Sequence, residues 1–329
     1  MEKLKVGIIG TGHLGKLHTK LFQQVENGIL VGVYDVDSEK AIKVADEFNV
    51  TAYQNINDLF NQAQAVVIVA STSSHYKLVK QAFENSKHVF VEKPITSQIW
   101  EAEELVKISN ERNLNFQVGH IERFNPALVS LEQYDLNPMF IQTDRLSQFN
   151  PRGTDVAVVL DLMIHDIDII LSLVQSDVKD VRASGVPVVS DSIDIANARI
   201  EFENGAVANV TASRISQKKM RKMRMFQRDA YITLDFISGT SEVYRLVHPE
   251  KLPENSFINF GEIGVGEKKK IVIYEQPEQV EINALRHELQ LFVDSINNRT
   301  RPPITGADGL KALKVAEMII KKINESKLS

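Results

Sequence analysis

The feature that most constrains this chain is a glycine pattern near its start. Gly10, Gly12 and Gly15 are spaced as GxGxxG between an apolar run, Leu4 to Ile9, and a stretch whose apolar residues recur every three or four positions. A strand, this pattern and a helix together form the site that holds the pyrophosphate of a dinucleotide, because glycine allows the tight turn and the helix N-terminus favours negative charge. The pattern therefore predicts a dinucleotide-binding domain.

The nature of the dinucleotide is indicated by one acidic residue. The second apolar run, Leu30 to Tyr34, is followed by Asp35, which lies 20 positions beyond Gly15. A carboxylate there can accept hydrogen bonds from the ribose hydroxyls and would repel a 2'-phosphate. We therefore expect NAD rather than NADP. The alternative, a glycine-rich turn without a ligand, is disfavoured by the strand context and by Asp35 together.

The pattern of hydrophobic residues divides the chain in two. Over the first 120 residues short apolar runs alternate with amphipathic stretches, as in βα units that build a parallel sheet. Beyond them the sequence predicts one long apolar helix, Asp155 to Val174, and then alternating strands from Val178 to Tyr274. Since a single core stops growing near about 250 to 300 residues, 329 residues favour two domains. We assign 1–121 to an NAD-binding Rossmann domain and 122–329 to a catalytic, substrate-binding and oligomerisation domain, an α/β fold.

Composition excludes several classes of protein. The chain has no cysteine, so a disulfide framework and a thiolate metal site are excluded. Its formal charge of -5 gives no general attraction to nucleic acid or to anionic lipid. The apolar runs are shorter than the roughly 20 residues that span a bilayer, and the first residues already form a strand. We expect a cytoplasmic protein that binds neither membrane nor nucleic acid.

Candidate catalytic residues lie in two segments. Lys93 follows the apolar run Val89 to Val91, and ligands bind at the carboxyl ends of parallel strands. In the predicted apolar helix, polar residues recur at steps of four, three and four: Asp161, His165, Asp168 and Ser172. Buried polar groups need partners or a wet cleft, and imidazole, with a pKa of about 6.5, suits proton transfer. His165 is thus a candidate general base, and Asp161 can orient it.

Other interpretations of these residues stay open. Lys93 can be a solvated charge, and Asp161 and His165 can be a structural pair. Two ligands at i and i+4 can also hold a divalent ion, but no third ligand is evident, and we predict no metal.

Several motifs carry a family resemblance along essentially the whole chain. GIIGTGHLGKLH, the SSH at Ser73 to His75, VEKPI and DLMIHDID occur here in the order found in Gfo/Idh/MocA oxidoreductases, which this chain resembles. The resemblance implies a Rossmann domain followed by a domain with an open-faced, mostly antiparallel sheet, which usually mediates homodimers or homotetramers. It also implies that Lys93, Asp161 and His165 form the catalytic set. The expected cofactor-binding residues are Gly10, Gly12, His13, Leu14, Gly15, Asp35, Ser71, Thr72, His75, Glu92 and Lys93.

Within that family, GHIERFNPA at Gly119 to Ala127 and VVLDLMIHDID at Val158 to Asp168 most resemble the UDP-N-acetylglucosamine 3-dehydrogenases, which oxidise the C3 hydroxyl of the sugar. The diphosphate of such a substrate needs cations. The expected substrate-binding residues are Lys93, Arg123, Asn125, Arg145, Arg152 and His165. Each arginine can equally be a solvated surface charge.

Alternatives to this function remain. One is a dehydrogenase of a free polyol, an inositol or another sugar, another is a hydrolase that uses NAD as a redox relay, and a third is a non-catalytic NAD(H)-binding regulatory protein. The sequence does not decide whether Lys93 or His165 accepts the proton. The most basic run, Lys218 to Arg224, favours a strand with one solvated face, with phosphate contact as the alternative.

Overall fold

The computed structural model describes residues 2–150, 156–252, 258–266 and 269–326. The chain divides into two compact units, Met1–Ile121 with Asn283–Lys314, and Glu122–Ile282 with Val315–Ser329. The sequence assigns 283–314 to the C-terminal domain, whereas the structure groups these residues with the first unit. Helix packing explains this grouping, because Leu285, Leu289 and Phe292 are buried in the same cluster as residues of the first strand.

The first unit contains a five-stranded sheet in which every strand pair is parallel, in the order β2-β1-β3-β4-β5. Its strands are β1 Leu4–Ile9, β2 Gly28–Tyr34, β3 Ala65–Ile68, β4 His88–Glu92 and β5 Phe116–Gly119. The parallel Rossmann sheet predicted for this half is therefore confirmed. Because the strands are parallel, their carboxyl ends lie along one edge of the sheet, and that edge carries the candidate cofactor residues.

Helices connect these strands and cover the sheet. They are α1 His13–Phe22, α2 Ser38–Phe48, α3 Ile56–Gln62, α4 Thr72–Glu84, α5 Ile99–Glu111 and α8 Ala284–Asn297. The last helix, α9 Gly306–Ser326, contains the boundary between the two units. Across the described residues, no helix combines the length and the apolar character needed to cross a membrane.

The second unit is built on a nine-stranded sheet in the order β13-β14-β12-β11-β10-β6-β9-β8-β7. Its strands are β6 Phe140–Leu146, β7 Val178–Val186, β8 Ile195–Phe202, β9 Val207–Ser213, β10 Met220–Gln227, β11 Ala230–Asp235, β12 Thr240–Val247, β13 Ile258–Ile263 and β14 Lys270–Glu275. Strand β6 pairs in parallel with β9, and the other recorded pairs are antiparallel. The predicted large, mostly antiparallel sheet is confirmed.

The second unit also contains helical segments. A 3-10 helix at Ile121–Phe124 and the short helix α6 Pro126–Val129 precede the sheet, and a second 3-10 helix spans Pro249–Lys251. The predicted single helix from 155 to 174 is wrong in detail: a π-helix spans Val159–Met163, and α7 spans Ile164–Val174, whereas Asp155 lies outside the described residues. One π-helical turn changes the helical period only locally, so an apolar pattern with a period of 3.6 residues does not reveal it. Such turns are frequent at functional sites.

Candidate functional site

The turn between β1 and α1 requires its glycines for two physical reasons. Gly10 has a φ of 98°, and a Cβ there would lie 2.4 Å from the carbonyl oxygen of Val69. A Cβ on Gly15 would lie 2.0 Å from the carbonyl oxygen of Gly10, so the helix and the turn approach closely. A Cβ on Gly12, in contrast, would meet nothing within 4 Å. The backbone at Gly12 therefore faces open space, and no side chain caps the N-terminus of α1.

Asp35 at the end of β2 contacts this turn directly. Its Oδ2 accepts hydrogen bonds from the amide of Thr11 at 2.7 Å and from the Thr11 hydroxyl at 3.0 Å. Its Oδ1 accepts one from the amide of Asp37 at 3.0 Å. A carboxylate offers about four acceptor positions, so about one remains for a ligand hydroxyl.

The remaining predicted cofactor residues differ in exposure. His13 and Leu14 lie exposed on the first turn of α1, and Ser71 is exposed at the N-cap of α4, where its hydroxyl lies within 3.3 Å of those of Ser73 and Ser74. Thr72 is half-buried in the first turn of that helix. These side chains follow β1 and β3, so they border the same edge of the sheet as Gly10.

His75 is buried, and both of its ring nitrogens lie close to backbone carbonyl oxygens. Its Nδ1 lies 2.9 Å from the carbonyl oxygen of Pro94 and its Nε2 lies 3.1 Å from that of Ala70. Burial lowers the pKa of His75, and a neutral imidazole donates to one carbonyl at a time. The residue links the loop after β3 to the turn after β4.

The turn that carries Lys93 is supported by a second buried histidine. Nε2 of His18 lies 2.8 Å from Oε1 of Glu92, and Oε2 of Glu92 accepts a hydrogen bond from the amide of Lys93 at 3.3 Å. Burial works to raise the pKa of Glu92, but the hydrogen bond from His18 and the charge of Lys93 outweigh it and lower that pKa. Glu92 is thus a carboxylate that holds the backbone of the half-buried Lys93.

Asp161 and His165 lie in the second unit at the junction of the π-helix and α7. Both are half-buried, while their neighbours Met163 and Ile164 are fully buried. Nδ1 of His165 is a buried atom. Asp161 and His165 are therefore partly accessible, and their roles as a base and its orienting carboxylate stay predictions.

Arg123 forms an ion pair with a carboxylate of α7. Its Nε and Nη2 donate to the two oxygens of Asp168 at 2.7 and 2.6 Å, a bidentate pair in which Asp168 is almost wholly buried. Asn125, which caps α6, donates to Oε2 of Glu122 and to the carbonyl oxygen of Phe236. The RFNP segment is thus fixed against α7 and the sheet by its own polar side chains.

Arg145 forms a buried ion cluster. It donates to both oxygens of Asp166, at 2.7 and 3.0 Å, and to Oε1 of Glu122 at 3.0 Å. Burial works to lower the pKa of Arg145, but the charges and hydrogen bonds of these two carboxylates raise it, so the guanidinium stays charged. Its side chain is 3% exposed, which leaves no surface for the diphosphate contact that the sequence predicts for it. Arg152, the third predicted phosphate ligand, lies outside the described residues.

Sequence reasoning missed His18, Glu122 and Asp166. His18 stands three positions after Gly15, on the buried face of α1, and Asp166 is a carboxylate in an apolar helix. Because a buried charge needs a partner, the carboxylate of Asp166 in an apolar helix indicates a buried cation, which is Arg145 in the structure. Over the described parts of the chain, no group of three or more His, Asp or Glu side chains is arranged to hold a metal ion.

Models of one protein family match both halves of this chain. The family model described as the NAD-binding Rossmann fold of the Gfo/Idh/MocA oxidoreductases matches residues 4–120, and the model of the C-terminal domain of that family matches 133–233. A UDP-N-acetylglucosamine 3-dehydrogenase from Acidithiobacillus ferrooxidans is 38% identical over 245 residues, which are 74% of this chain and 78% of that protein.

A solved structure and a further curated protein are also similar to this chain. A solved structure of the Acidithiobacillus ferrooxidans UDP-N-acetylglucosamine 3-dehydrogenase matches with a TM-score of 0.87 and 32% identity, covering 98% of each chain. A scyllo-inositol 2-dehydrogenase (NAD(+)) from Bacillus subtilis is 30% identical over 236 residues, which are 65% of this chain and 68% of that protein.

Proposed function

The chain belongs to the Gfo/Idh/MocA family of NAD-binding oxidoreductases, and from this premise we propose that it oxidises the C3 hydroxyl of a UDP-N-acetyl-hexosamine to a ketone. The observation that carries this substrate class is the similarity to UDP-N-acetylglucosamine 3-dehydrogenase, which exceeds that to the inositol dehydrogenase in identity and in the share of the chain covered. The enzyme is an NAD-dependent dehydrogenase of sugar hydroxyl groups.

The N-terminal unit fits NAD. The open space at Gly12 and the uncapped N-terminus of α1 suit a pyrophosphate, because backbone N–H groups and the helix dipole favour negative charge. The remaining acceptor position of Asp35 suits a ribose hydroxyl, and its charge disfavours a 2'-phosphate. With NAD bound in this unit, its nicotinamide ring would accept the hydride that leaves C3.

Side chains of the protein accept the hydroxyl proton and stabilise the negative charge on the oxygen. We assign the hydroxyl proton to Nε2 of His165, since Nδ1 is buried, and Asp161 orients the ring. The ammonium of Lys93 stabilises the negative charge that develops on the oxygen. In the alternative assignment Lys93 accepts the proton and His165 donates a hydrogen bond to the same oxygen.

The test is a substrate comparison with purified protein and NAD. We expect a kcat/KM for UDP-N-acetylglucosamine at least about tenfold above those for myo-inositol, scyllo-inositol and glucose 6-phosphate, because a site that binds the nucleotide loses those interactions with a free polyol. The product should be two hydrogen atoms lighter than the substrate by mass spectrometry. A free inositol that is oxidised more efficiently would overturn the proposal.

We also propose that the enzyme is a homodimer or homotetramer formed through the face of the nine-stranded sheet opposite α7. A row of aromatic rings crosses this face on neighbouring strands, with centroids 4.7–5.9 Å apart: Phe140, Phe226, Tyr231, Tyr244, Tyr274 and Phe260. Exposed apolar patches of this kind mark protein interfaces. Replacement of Tyr231 by Lys should shift the sedimentation coefficient toward that of a monomer, and an unchanged value would contradict this interface.

A further inference from the structure

The arginines around α7 differ in their exposure and in how many hydrogen bonds they donate to carboxylates of the protein. Arg123 forms a bidentate pair with Asp168, and its side chain is 16% exposed. Arg145 makes three hydrogen bonds to Asp166 and Glu122 and is buried. Arg145 therefore serves the fold, because its guanidinium is buried, and Arg123 is held by Asp168 with only a small part of its side chain exposed.

Arg221, in β10, is different. Its side chain is 47% exposed, and its one recorded hydrogen bond within the described residues joins Nη1 to Oε1 of Glu122 at 3.2 Å. The same carboxylate oxygen accepts from Arg145 at 3.0 Å. Two guanidinium groups thus share one oxygen. Since a guanidinium has five N–H donors, most of those on Arg221 remain available.

The strand pattern determines which way Arg221 points. It pairs with Arg145 across β10 and β6, so the two side chains lie on the same face of the sheet, the face that contacts α7 through Asp166. Lys222 and Arg224 point to the other face, where they lie near Asp235 and Asp144. Within the described strand β10, Arg221 is therefore the basic side chain on the α7 face.

Hydrogen bonds connect Arg221 to the helix that carries the proposed base. From Arg221, two side chains, Glu122 and Arg145, lead by direct hydrogen bonds to Asp166, which follows His165 in the chain. The cluster holds two positive and two negative groups, but both carboxylates are buried. Its exposed end is consequently the guanidinium of Arg221.

We propose that Arg221 binds the diphosphate of the nucleotide-sugar substrate and so makes the enzyme specific for an anionic sugar. This inference rests on the proposed function. A planar guanidinium pairs bidentately with phosphate oxygens, and its bond to Glu122 holds it in place before the ligand arrives. A neutral inositol has no group that would use this contact.

The test measures binding of UDP to the NAD-loaded protein by calorimetry, in wild type, Arg221→Gln, Arg221→Lys and the control Arg199→Gln, a half-exposed arginine of β8 that pairs with Glu201. We expect Kd for UDP to rise about 10- to 100-fold in Arg221→Gln, less in Arg221→Lys, and to stay within about twofold in Arg199→Gln. In the oxidation of UDP-N-acetylglucosamine, KM should rise with kcat nearly unchanged.

The outcomes separate the two proposals. Wild-type Kd values for UDP in Arg221→Gln, in an enzyme that oxidises UDP-N-acetylglucosamine, would overturn the role of Arg221 and leave the proposed function standing. An enzyme that binds no UDP and oxidises only inositols would overturn both. Unchanged NAD affinity and melting temperature in the Arg221 variants establish that any loss of UDP binding is local, and equal losses in Arg221→Gln and Arg199→Gln would contradict a specific contact.

Discussion

Nε2 of His18 lies 2.8 Å from Oε1 of Glu92, and this buried hydrogen bond joins the helix of the glycine turn to the end of β4. His18 packs edge-on against Phe90 at 5.7 Å, and its Nδ1 finds no partner among the described residues. Since a carboxylate only accepts hydrogen bonds, Nε2 carries the hydrogen. Glu92 thereby has a fixed position from which it holds the amide of Lys93.

Replacement of Glu92 by Gln should reduce kcat by about tenfold or more, because a small displacement of a catalytic group is enough to slow the reaction. NAD affinity should change much less. The control is Glu104→Gln, which removes a carboxylate that also accepts hydrogen bonds, from Tyr76 and Lys80, but on the surface of α5. Steady-state kinetics of both variants provide the measurement, and equal kcat values would contradict a positioning role for Glu92.

The same residue predicts a pH dependence of stability. The hydrogen bond from His18 and the charge of Lys93 lower the pKa of Glu92 in the folded state below its ordinary value of 4.5, against the effect of burial. A lowered pKa means that Glu92 contributes stability above pH 4.5, which is lost as pH falls through the folded-state value. The difference in unfolding free energy between wild type and Glu92→Gln should thus be constant near neutral pH and shrink in acid. Urea titrations at several pH values measure it, and a difference that grows in acid would have the wrong sign.

Lys93→Met and His165→Ala should each lower kcat by about 100-fold or more with little effect on NAD binding, as expected for groups that transfer a proton or stabilise charge. The pH profile of kcat/KM distinguishes their roles. If His165 is the base, the acidic limb of the profile disappears in His165→Ala and persists in Lys93→Met. Full activity of either variant would remove that residue from the catalytic set.

Local spacing was enough to predict the cofactor half of the site. The GxGxxG pattern, the strand before it and Asp35 after the next strand are fixed by short stretches of chain, so their interpretation did not depend on distant contacts. The alternation of apolar runs and amphipathic stretches predicts the parallel sheet of the first unit, whereas the family resemblance implies the mostly antiparallel sheet of the second; both are confirmed. Strands β8 and β9, for example, lie within the alternating stretch Val178 to Tyr274, for which the sequence predicts strands.

The arginines could not be assigned in this way. Arg123 meets Asp168 across 45 positions and Arg145 meets Asp166 across 21, and no local pattern says which cation meets which carboxylate. A cation suited to phosphate is equally suited to a buried carboxylate, so residue type alone left both outcomes open. For the basic run containing Arg221 the sequence favours a strand with one solvated face and leaves phosphate contact as the alternative. In the structure the two faces of this strand have different neighbours.

Asp35→Ser should change the choice of cofactor. It removes the charge that opposes a 2'-phosphate, and it also frees the amide and hydroxyl of Thr11, two donors that suit phosphate oxygens. We expect the ratio of kcat/KM for NAD to that for NADP to fall by about tenfold or more. The control is Asp37→Ser at the N-cap of α2, which removes a nearby carboxylate bound to Lys40. An equal change in both variants would mean that the effect is general electrostatics rather than a contact of Asp35.

Arg145→Met should destabilise the second unit strongly. It leaves the carboxylate of Asp166 buried without its partner, a change that typically costs about 3–5 kcal/mol. Arg199→Met, which removes a half-exposed arginine 3.0 Å from Glu201, should cost about 1 kcal/mol or less because solvent screens that pair. Chemical denaturation of the NAD-bound protein measures both. Because the penalty comes from the orphaned charge, adding Asp166→Leu to Arg145→Met should recover part of the loss, and a double variant less stable than Arg145→Met would show that the ion pair itself holds α7 on the sheet.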